Sequence, residues 1–278
     1  MPELPEIQAL SERLHERYAG AAFVLAEPLS FSGLKTVTPG PEALAGRELD
    51  SVGRRGKFLV LAFDSALGML IHLSQGGRID LETGKRVSRP KNGVVRLRFD
   101  RDPPVLVKEW GTERKAGWWI MGPGEDGPLA KLGPEPFSEE FAALIRDADD
   151  TGRLHALLRD QRGVAGIGRG YSDDILHRAR LSPYRSLGSL KEEERERLLH
   201  AVKEVLSGAL EVERRREGGL PAKLGDHFTV HGKSGTPCPT CGADLRRVSF
   251  ESHEVTYCPT CQTGGKRLSD RRLDRLVR

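Results

Sequence analysis

The first hydrophobic pattern along the chain has the period of an α-helix. Five apolar side chains recur at that spacing: Leu4, Ile7, Leu10, Leu14 and Tyr18. Side chains three and four positions apart share one face of a helix. The spacing therefore predicts a helix over residues 4–18 with its apolar face buried.

Short apolar segments follow, and Gly, Pro and Asp separate them. They are residues 57–63, 67–73, 94–99, 105–107 and 118–121. Their length is typical of β-strands, and several short strands joined by turns favour a β-sandwich. Residues 122–128, rich in Gly and Pro, are predicted to be the linker that ends this half of the chain.

From Ser138 onward the pattern predicts helices. Ser138 is expected to cap a helix that starts at residue 139, and residues 154–158 are expected to form a second, short one. Ser189 and Glu192 have the spacing of a capping box before a long helix. That helix carries apolar side chains at Leu198, Val202, Val205, Leu206 and Leu210.

The four cysteines all lie in one stretch of 24 residues near the end of the chain. They form two Cys-Pro-Thr-Cys turns separated by sixteen residues: Cys238, Cys241, Cys258 and Cys261. Two such turns can complete a tetrahedral zinc site, and residues 245–250 and 254–257 between them are predicted to pair as a hairpin. Disulfide pairing is the alternative, although nothing in the sequence suggests an oxidising compartment. We expect one structural Zn²⁺, because protein would supply all four ligands.

A glycine-rich stretch, Gly163 to Gly170, lies between two predicted helices. No strand precedes it, so it is not a dinucleotide-binding fingerprint. A glycine-rich turn that leads into a helix exposes backbone N–H groups and suits a phosphate, but the same turn can be purely structural. Residues 214–236 are predicted to be a loop before the zinc hairpin.

Composition narrows the class of protein only moderately. The 278 residues are 37% hydrophobic and 30% charged, and the net charge of +4 permits nucleic-acid binding without requiring it. Residues 262–278 contain six Lys and Arg against two Asp, a basic tail that could either contact nucleic acid or be solvated. We expect a cytoplasmic protein with no membrane segment, since neither a signal peptide nor a long apolar run is visible.

The chain begins Met1-Pro2-Glu3-Leu4-Pro5-Glu6. Removal of Met1 would leave Pro2 with a free secondary amine beside a carboxylate, and such an amine can attack a sugar carbon to form an iminium. The alternative is a simple helix start, with prolines and acidic residues in the first turn. The first six residues alone do not decide between the two.

Taken together, these features resemble the formamidopyrimidine-DNA glycosylase / endonuclease VIII family of base-excision repair enzymes. The resemblance covers essentially the whole chain. It is carried by Pro2 to Glu6, Arg55-Gly56-Lys57, Asp160-Gln161 through Pro183, and Cys258 to Gln262. The finger ending Cys261 to Lys266 resembles an actinobacterial branch of that family.

The resemblance implies an α+β multidomain fold in three parts. Residues 1–128 would be an N-terminal catalytic β-sandwich with a leading helix, and residues 129–236 a helix–two-turn–helix DNA-binding domain. Residues 237–278 would be a C-terminal four-Cys zinc finger. The expected partner is damaged double-stranded DNA, bound by a monomer without a small-molecule cofactor.

The resemblance also implies a mechanism. Pro2 would attack the sugar C1′ and displace the damaged base, Glu3 would move protons, and Lys57 would hold a phosphate near the reacting sugar. β- and δ-elimination would then cut the strand, giving glycosylase and abasic-site lyase activities. The residues expected to contact DNA are Glu6, His72, Gln75, Lys108, Trp110, His155, Gly168, Arg169, His253, Lys266 and Arg267.

Several of these residues depart from better-known family members. Gln75 stands where guanine-lesion enzymes have a void-filling Met, and Lys108-Glu109-Trp110 stands where the family has Arg-x-Phe. The family's Asn, Lys and finger Arg correspond to Arg169, His155 and His253. Trp110 could stack on an unpaired base or simply pack.

These departures leave three functions open. The first is a bifunctional glycosylase and lyase with an unusual substrate. The second is a non-catalytic or weakly active protein that binds damaged DNA, and the third is an unrelated zinc-finger module that binds RNA or protein. The lesion itself is not identified by the sequence, though Gln75 disfavours a dedicated 8-oxoguanine enzyme.

Overall fold

A computed structural model describes residues 1–84, 88–111, 114–250 and 253–269. The chain divides into two compact units. The first contains Met1–Lys131 and Leu210–Leu224, and the second contains Leu132–Ala209 and the described residues from Gly225 onward. The predicted boundaries at residues 128 and 236 therefore do not coincide with this division, since residues 210–224 return to the first unit and the finger shares the second.

The first unit is a β-sandwich with a leading helix, as predicted. Helix α1 (Leu4–Tyr18) precedes eight strands: β1 (Phe23–Pro28), β2 (Leu49–Arg55), β3 (Phe58–Phe63), β4 (Gly68–His72), β5 (Gly77–Leu81), β6 (Gly93–Phe99), β7 (Val105–Glu109) and β8 (Gly117–Met121). One antiparallel sheet has the order β1-β6-β7-β5 and the other β2-β3-β4-β8. Strand β5 is thus an edge strand.

The apolar face of α1 explains why the helix forms here. Ile7, Leu10 and Leu14 are buried in the same hydrophobic cluster as the inward side chains of both sheets. Trp118, the largest fully buried side chain, belongs to that cluster as well. The helix is therefore stabilised chiefly by its packing on the sandwich rather than by intrinsic propensity.

The hydrophobic pattern did not predict β1, β2 and β5. In β2 only Leu49 and Val52 are buried, so the strand has too few apolar positions to stand out. Strand β5 begins with glycine and contains Arg78 and Asp80, residue types that a strand seldom favours. These three strands form because they pair with neighbouring strands, and the local sequence does not reveal that pairing.

The second unit contains the helices. They are α2 (Glu139–Asp147), α3 (Leu154–Arg159), α4 (Arg169–Arg178) and α5 (Glu192–Arg214), whose last turn lies in the first unit. Ser138 caps α2 as predicted, since its Oγ accepts the N–H of Phe141 at 3.2 Å.

The predicted capping box at Ser189 is wrong. The Ser189 hydroxyl instead donates to the carbonyl of Ser186, and Glu194 accepts the N–H of Lys191 at 3.0 Å. The cap of α5 is therefore at Lys191, two residues later than predicted. Ser189 is not available for it, because it belongs to a short 3-10 turn over Leu187–Ser189.

The end of the described chain forms the predicted hairpin. Strands β9 (Arg246–Phe250) and β10 (His253–Tyr257) are antiparallel, and the short helix α6 (Pro259–Thr263) follows them. Across the described residues, no helix combines the length and the apolar character needed to cross a membrane.

Candidate active site and zinc centre

A tight hairpin places Lys57 in the first unit. Strands β2 and β3 pair up to Arg55 and Phe58, which leaves only Gly56 and Lys57 in the turn. Gly56 has φ of +55°, and glycine at the first position of a two-residue turn suits the twist of a hairpin. The turn holds Lys57 with only 4% of its surface exposed.

Two carboxylates lie at the N-terminus of α1. Glu3 occupies the N-cap position, and its backbone N–H donates to Glu6 Oε2 at 2.8 Å. Both side chains are buried, and Pro2 beside them is buried too. The positive end of the helix dipole favours negative charge there, and the Glu3 side chain accepts the backbone N–H of Glu6 to complete a capping box.

The charges of these residues act on the terminal amine. In the full chain it belongs to Met1, and burial lowers its pKa below the ordinary value. The carboxylate of Glu3 opposes this effect, while the positive charges of Arg78 and Lys57 lower the pKa further. The surroundings thus favour an unprotonated amine, which is the nucleophilic form.

The charge of Lys57 also acts on His72. This histidine pairs with Phe58 across β3 and β4, and the two rings are 4.6 Å apart. Burial, assisted by the charge of Lys57, lowers the pKa of His72 to about 4. The imidazole is therefore neutral near pH 7 and can offer a hydrogen bond to a ligand, but not a positive charge.

Gln75 and Trp110 lie on adjoining turns of the first unit. The N–H of Trp110 donates to the carbonyl of Gly76 at 2.9 Å, so the backbones of the two turns are in direct contact. Gly76 is required there because a Cβ would lie 1.9 Å from the Trp110 carbonyl oxygen. Gln75 is exposed and Trp110 is 50% exposed, so both side chains are accessible to a ligand.

Glu109, an acidic residue beside Trp110, points inward. It is 2% exposed, and its Oε1 accepts the backbone N–H groups of Lys115 and Ala116 at 2.8 and 2.9 Å. The carboxylate therefore organises the turn that follows β7, and its charge is kept away from the surface that Trp110 presents.

Replacing Glu109 should destabilise this turn. Glu109→Ala would leave two N–H groups without their acceptor, at an expected loss of about 1–3 kcal/mol in the free energy of unfolding. Urea denaturation measures this loss. Glu125→Ala is the matched control, because its carboxylate also accepts a backbone N–H but at an exposed site. Equal losses in the two variants would contradict the assigned role.

Lys108 forms an ion pair in the structure. Its Nζ contacts Asp80 Oδ2, and the lysine side chain is 22% exposed. Its charge is therefore partly neutralised within the protein, whereas the sequence suggested a residue available for DNA.

In the second unit, the glycine-rich turn leads into α4 as expected. Gly168 is the N-cap in an extended conformation, and Arg169 is the first helical residue. Arg169 is exposed while Gly168 is buried. The helix N-terminus thus presents one flexible cation beside backbone N–H groups, an arrangement that suits an anion.

His155, predicted to contact DNA, is buried instead. It is 1% exposed, and its Nε2 lies 3.7 Å from Asp173 Oδ1. Burial raises the pKa of Asp173 to about 6, although hydrogen bonds from His231 and the Thr256 N–H oppose that rise. His155 therefore occupies an internal position close to an acidic side chain, and its contact with DNA stays a prediction.

Two residues for which the sequence predicted no role join the elements of the second unit. Asp174 accepts three consecutive backbone N–H groups, from Thr229, Val230 and His231, at 2.7–3.0 Å. Gln262 accepts the N–H of Cys258 at 2.8 Å and donates to the carbonyl of Leu181 at 2.9 Å. Each links a helix to the region of the finger, and no local sequence pattern predicts such long-range bonds.

The four cysteines form one cluster, and its geometry fits zinc. All four Sγ atoms lie within 4.8 Å of one another. The Cys238–Cys261 and Cys241–Cys258 distances between Sγ atoms are 3.9 and 3.5 Å. Tetrahedral Zn–S bonds of about 2.3 Å require S–S separations of about 3.8 Å. The cluster therefore holds one structural Zn²⁺, and the predicted disulfide alternative is not formed.

Backbone and side-chain donors surround these sulfur atoms. The N–H groups of Thr240 and Cys261 approach the sulfurs of Cys238 and Cys258 at 3.4 Å. His177 on α4 lies with its Nε2 3.2 Å from Cys238 Sγ. A zinc-bound thiolate is an acceptor, so the buried imidazole would donate to it and tie α4 to the metal centre.

His177→Ala should weaken zinc binding. Losing a hydrogen bond to a metal ligand typically lowers affinity about 10–100-fold. Competition with a chromogenic chelator measures the zinc affinity directly. His200→Ala is the control, because that histidine is 76% exposed on α5 and makes no contact with the cysteines. A His177 variant that holds zinc as tightly as the control would remove this residue from the metal centre.

The remaining predicted contacts lie around the finger. Lys266 and Arg267 are exposed just after α6. The backbone of His253 pairs with Phe250 in the hairpin, but its side chain lies outside the described part of the chain. Residues 270–278, which carry most of the basic tail, are outside it as well.

Three family models match consecutive parts of the chain. The formamidopyrimidine-DNA glycosylase N-terminal domain matches residues 1–111, and the H2TH domain of the same glycosylase matches residues 132–217. A zinc finger found in FPG and IleRS matches residues 235–264. These matches confirm the resemblance seen in the sequence, while the actinobacterial branch stays a prediction.

Individual proteins agree with the family models. The chain is 36% identical to a formamidopyrimidine-DNA glycosylase of Thermus thermophilus over 281 residues, covering 95% of this chain and 100% of that protein. The crystal structure of MutM (Fpg) from Thermus thermophilus superposes with a TM-score of 0.81 at 31% identity, covering 96% and 100% of the two chains. Lactococcus lactis Fpg in complex with DNA containing an abasic site gives a TM-score of 0.80 at 25% identity, covering 94% and 99%.

Proposed function

The chain belongs to the formamidopyrimidine-DNA glycosylase family of base-excision repair, and from that premise we propose that it removes a damaged base and then cuts the DNA strand. The nucleophile in this proposal is the amine of Pro2 after removal of Met1. The observation that carries it is the burial of Pro2 beside Glu3 at the N-terminus of α1, where the charges of Glu3 and Lys57 both act on the amine of the preceding Met1.

The first chemical step replaces one bond at C1′ by another. The Pro2 nitrogen attacks C1′, the bond from C1′ to the base breaks, and the base leaves with the proton that the nitrogen releases. Glu3, buried beside Pro2, protonates the ring oxygen O4′, so the sugar opens to an iminium between Pro2 and C1′. Lys57 supplies positive charge close to the amine, where a phosphate of the same nucleotide would lie.

Strand cleavage follows from the iminium. Loss of a proton from C2′ expels the 3′ phosphate, and a second elimination expels the 5′ phosphate. The secondary amine favours this route, because its iminium carries a positive charge that attracts electrons from C2′. Hydrolysis of the iminium then returns Pro2.

The proposed partner is damaged duplex DNA. The Lactococcus lactis relative was crystallised with DNA containing an abasic site, and this chain presents Gln75 and Trp110 together where a wedge could enter a base stack. Exposed cations at Arg169, Lys266 and Arg267 could contact phosphates, which orient DNA without reading its sequence. The structural Zn²⁺ holds the finger folded and takes no part in the chemistry.

A damaged-DNA-binding protein with weak lyase activity is the second candidate. It is motivated by two residues that were expected to contact DNA. Lys108 is paired with Asp80, and His155 is buried. Both features would weaken the hold on DNA near the lesion while leaving the amine in place.

Borohydride trapping separates these functions. Reduction converts the iminium into a stable covalent bond, so an enzyme becomes joined to a duplex that contains one abasic site. A duplex with a tetrahydrofuran site is the control, because it lacks the reactive C1′ and can only be bound. We expect a covalent product on the abasic duplex alone. Tight binding to both duplexes, with no covalent product or only a small fraction of it on the abasic duplex, would instead support the damaged-DNA-binding protein.

A further inference from the structure

The turn that carries Lys57 is connected to helix α1 through Arg54. This arginine lies on β2, two residues before Gly56, and its backbone pairs with that of Leu59 on β3. Its Nε donates to Gln8 Oε1 on α1 at 2.9 Å. Its Nη1 donates to the carbonyl of Gly56, within the turn itself, at 3.4 Å. One guanidinium therefore contacts both the helix and the turn.

The contact on α1 lies close, along the helix, to the residues proposed for the reaction. Gln8 is five residues after Glu3, which corresponds to about 7.5 Å along the axis of an α-helix. The Nε2 of Gln8 donates to Glu12 Oε1 at 2.9 Å, so the amide is oriented with its oxygen toward Arg54. A helix is stiff over so short a distance. The position of Gln8 relative to the hairpin therefore also sets the position of Pro2 and Glu3.

Apolar packing brings α1 and the hairpin together but does not by itself fix their relative position. Ile7 on the helix and Leu59 on β3 are fully buried in the same hydrophobic cluster. Such packing has no preferred direction, whereas a hydrogen bond has one. The N–H of Val52 donates to His15 Nδ1 at 3.3 Å, farther from the turn, and Arg54 supplies the directional contact next to it.

We propose that Arg54 is a positioning residue that fixes the turn carrying Lys57 relative to the first turns of α1, and so sets the spacing between Lys57 and the amine of Pro2. The inference rests on the proposed function, which makes Pro2 the nucleophile and assigns a phosphate of the reacting nucleotide to Lys57. Its mechanical part does not depend on DNA, because Arg54 contacts Gln8 and Gly56 in the protein alone.

Two substitutions and their combination test this contact. Arg54→Met keeps a long side chain without donors, and Gln8→Met removes the acceptor while preserving helix propensity. If the two side chains act through each other, the double variant should behave like Arg54→Met alone. Arg101→Met is the matched control. Arg101 is exposed, and its Nη1 donates to the carbonyl of Ala19 at 2.9 Å, at the opposite end of α1.

Hydrogen exchange measures the mechanical part without DNA. In Arg54→Met we expect the amides of residues 55–58 to exchange about five- to tenfold faster, because the turn opens more often when it loses a hydrogen bond. Gln8→Met should show a smaller increase, and Arg101→Met should exchange like the wild type. Unchanged exchange in Arg54→Met would overturn the proposal. If Arg54→Met does not fold, unchanged exchange in Gln8→Met overturns it.

Trapping on the abasic duplex connects the spacing to the reaction. At protein concentrations that saturate the duplex, Arg54→Met should trap about 10- to 100-fold more slowly, because a misplacement of about 1 Å can reduce a rate that much. Its affinity for the tetrahydrofuran duplex should be unchanged, because Arg54 acts through the protein and not through DNA.

Several results of the trapping experiment would overturn the proposal. They are an unchanged rate in Arg54→Met, an equal loss of rate in Arg101→Met, and losses that simply add in the double variant. A loss of affinity for the tetrahydrofuran duplex as large as the loss of rate would also overturn it, because Arg54 would then contact DNA directly. A wild-type protein that never traps would refute the proposed function, while hydrogen exchange would still decide whether Arg54 fixes the turn.

Discussion

Pro2→Gly is expected to lose at least about 100-fold in the rate of borohydride trapping, because loss of a nucleophile or base typically costs orders of magnitude. Glycine still allows Met1 to be removed, so the variant keeps a terminal amine at the same position. It lacks the pyrrolidine ring, however, and its more flexible primary amine is not fixed against Glu3 and Lys57. The measurement is the initial rate of covalent product on a duplex with one abasic site.

Pro5→Ala is the control for this experiment. Pro5 lies in the first turn of the same helix, is buried, and has no free amine. It should therefore trap like the wild type, apart from any effect on stability. If Pro2→Gly traps at the wild-type rate, the Pro2 ring nitrogen is not required for the reaction. Lys57 would then be the nucleophile to test next.

Cys258→Ser is expected to empty the zinc centre and to lower the affinity for duplex DNA at least about tenfold, because metal binding supplies the folding free energy of so small a finger. Cys258 is fully buried within the cluster, so a hydroxyl in its place can neither bind zinc comparably nor reach water. Elemental analysis gives the zinc content, and fluorescence anisotropy on a labelled abasic duplex gives the affinity.

Thr260→Ser tests whether the effect belongs to the metal. Thr260 lies on the same turn, between Cys258 and Cys261, but it is exposed. The control should keep one zinc per chain and wild-type affinity. Full zinc content and unchanged binding in Cys258→Ser would refute the role of the finger, whereas lost zinc with unchanged binding would restrict it to stability.

The two candidate wedge residues lie on turns that the structure brings together. Gln75 and Trp110 are 35 positions apart, and the family resemblance alone put them in one site. Their turns do meet, and the reason is local: Gly76 lets the two backbones approach closely enough for a hydrogen bond. Whether the side chains enter DNA stays a prediction.

The surroundings of Lys108 and His155 could not be read from the sequence, and their contact with DNA stays a prediction. DNA contact was predicted for each residue from its position in a family motif. In the structure, each lies close to an acidic side chain that is not part of that motif. Asp80 pairs with Lys108 from the neighbouring strand β5, and Asp173 approaches His155 from the next helix. The charge that a side chain presents to a ligand depends on such neighbours, which a one-dimensional pattern cannot supply.

The sequence by itself determined the leading helix, the β-sandwich and the four-cysteine finger, because these depend on the period of apolar positions and on the spacing of ligands along the chain. It also singled out Pro2, Glu3 and Lys57. Only the tertiary structure decided which charges surround the terminal amine. The charge of Arg78, which lies on an edge strand that the sequence pattern does not predict, lowers the pKa of the Met1 amine, and its hydrogen-bond partners Pro221 and Ala222 lie more than 140 positions away along the chain. Burial and charge–charge interaction act through space, so their effect on reactivity appears only once the chain has folded.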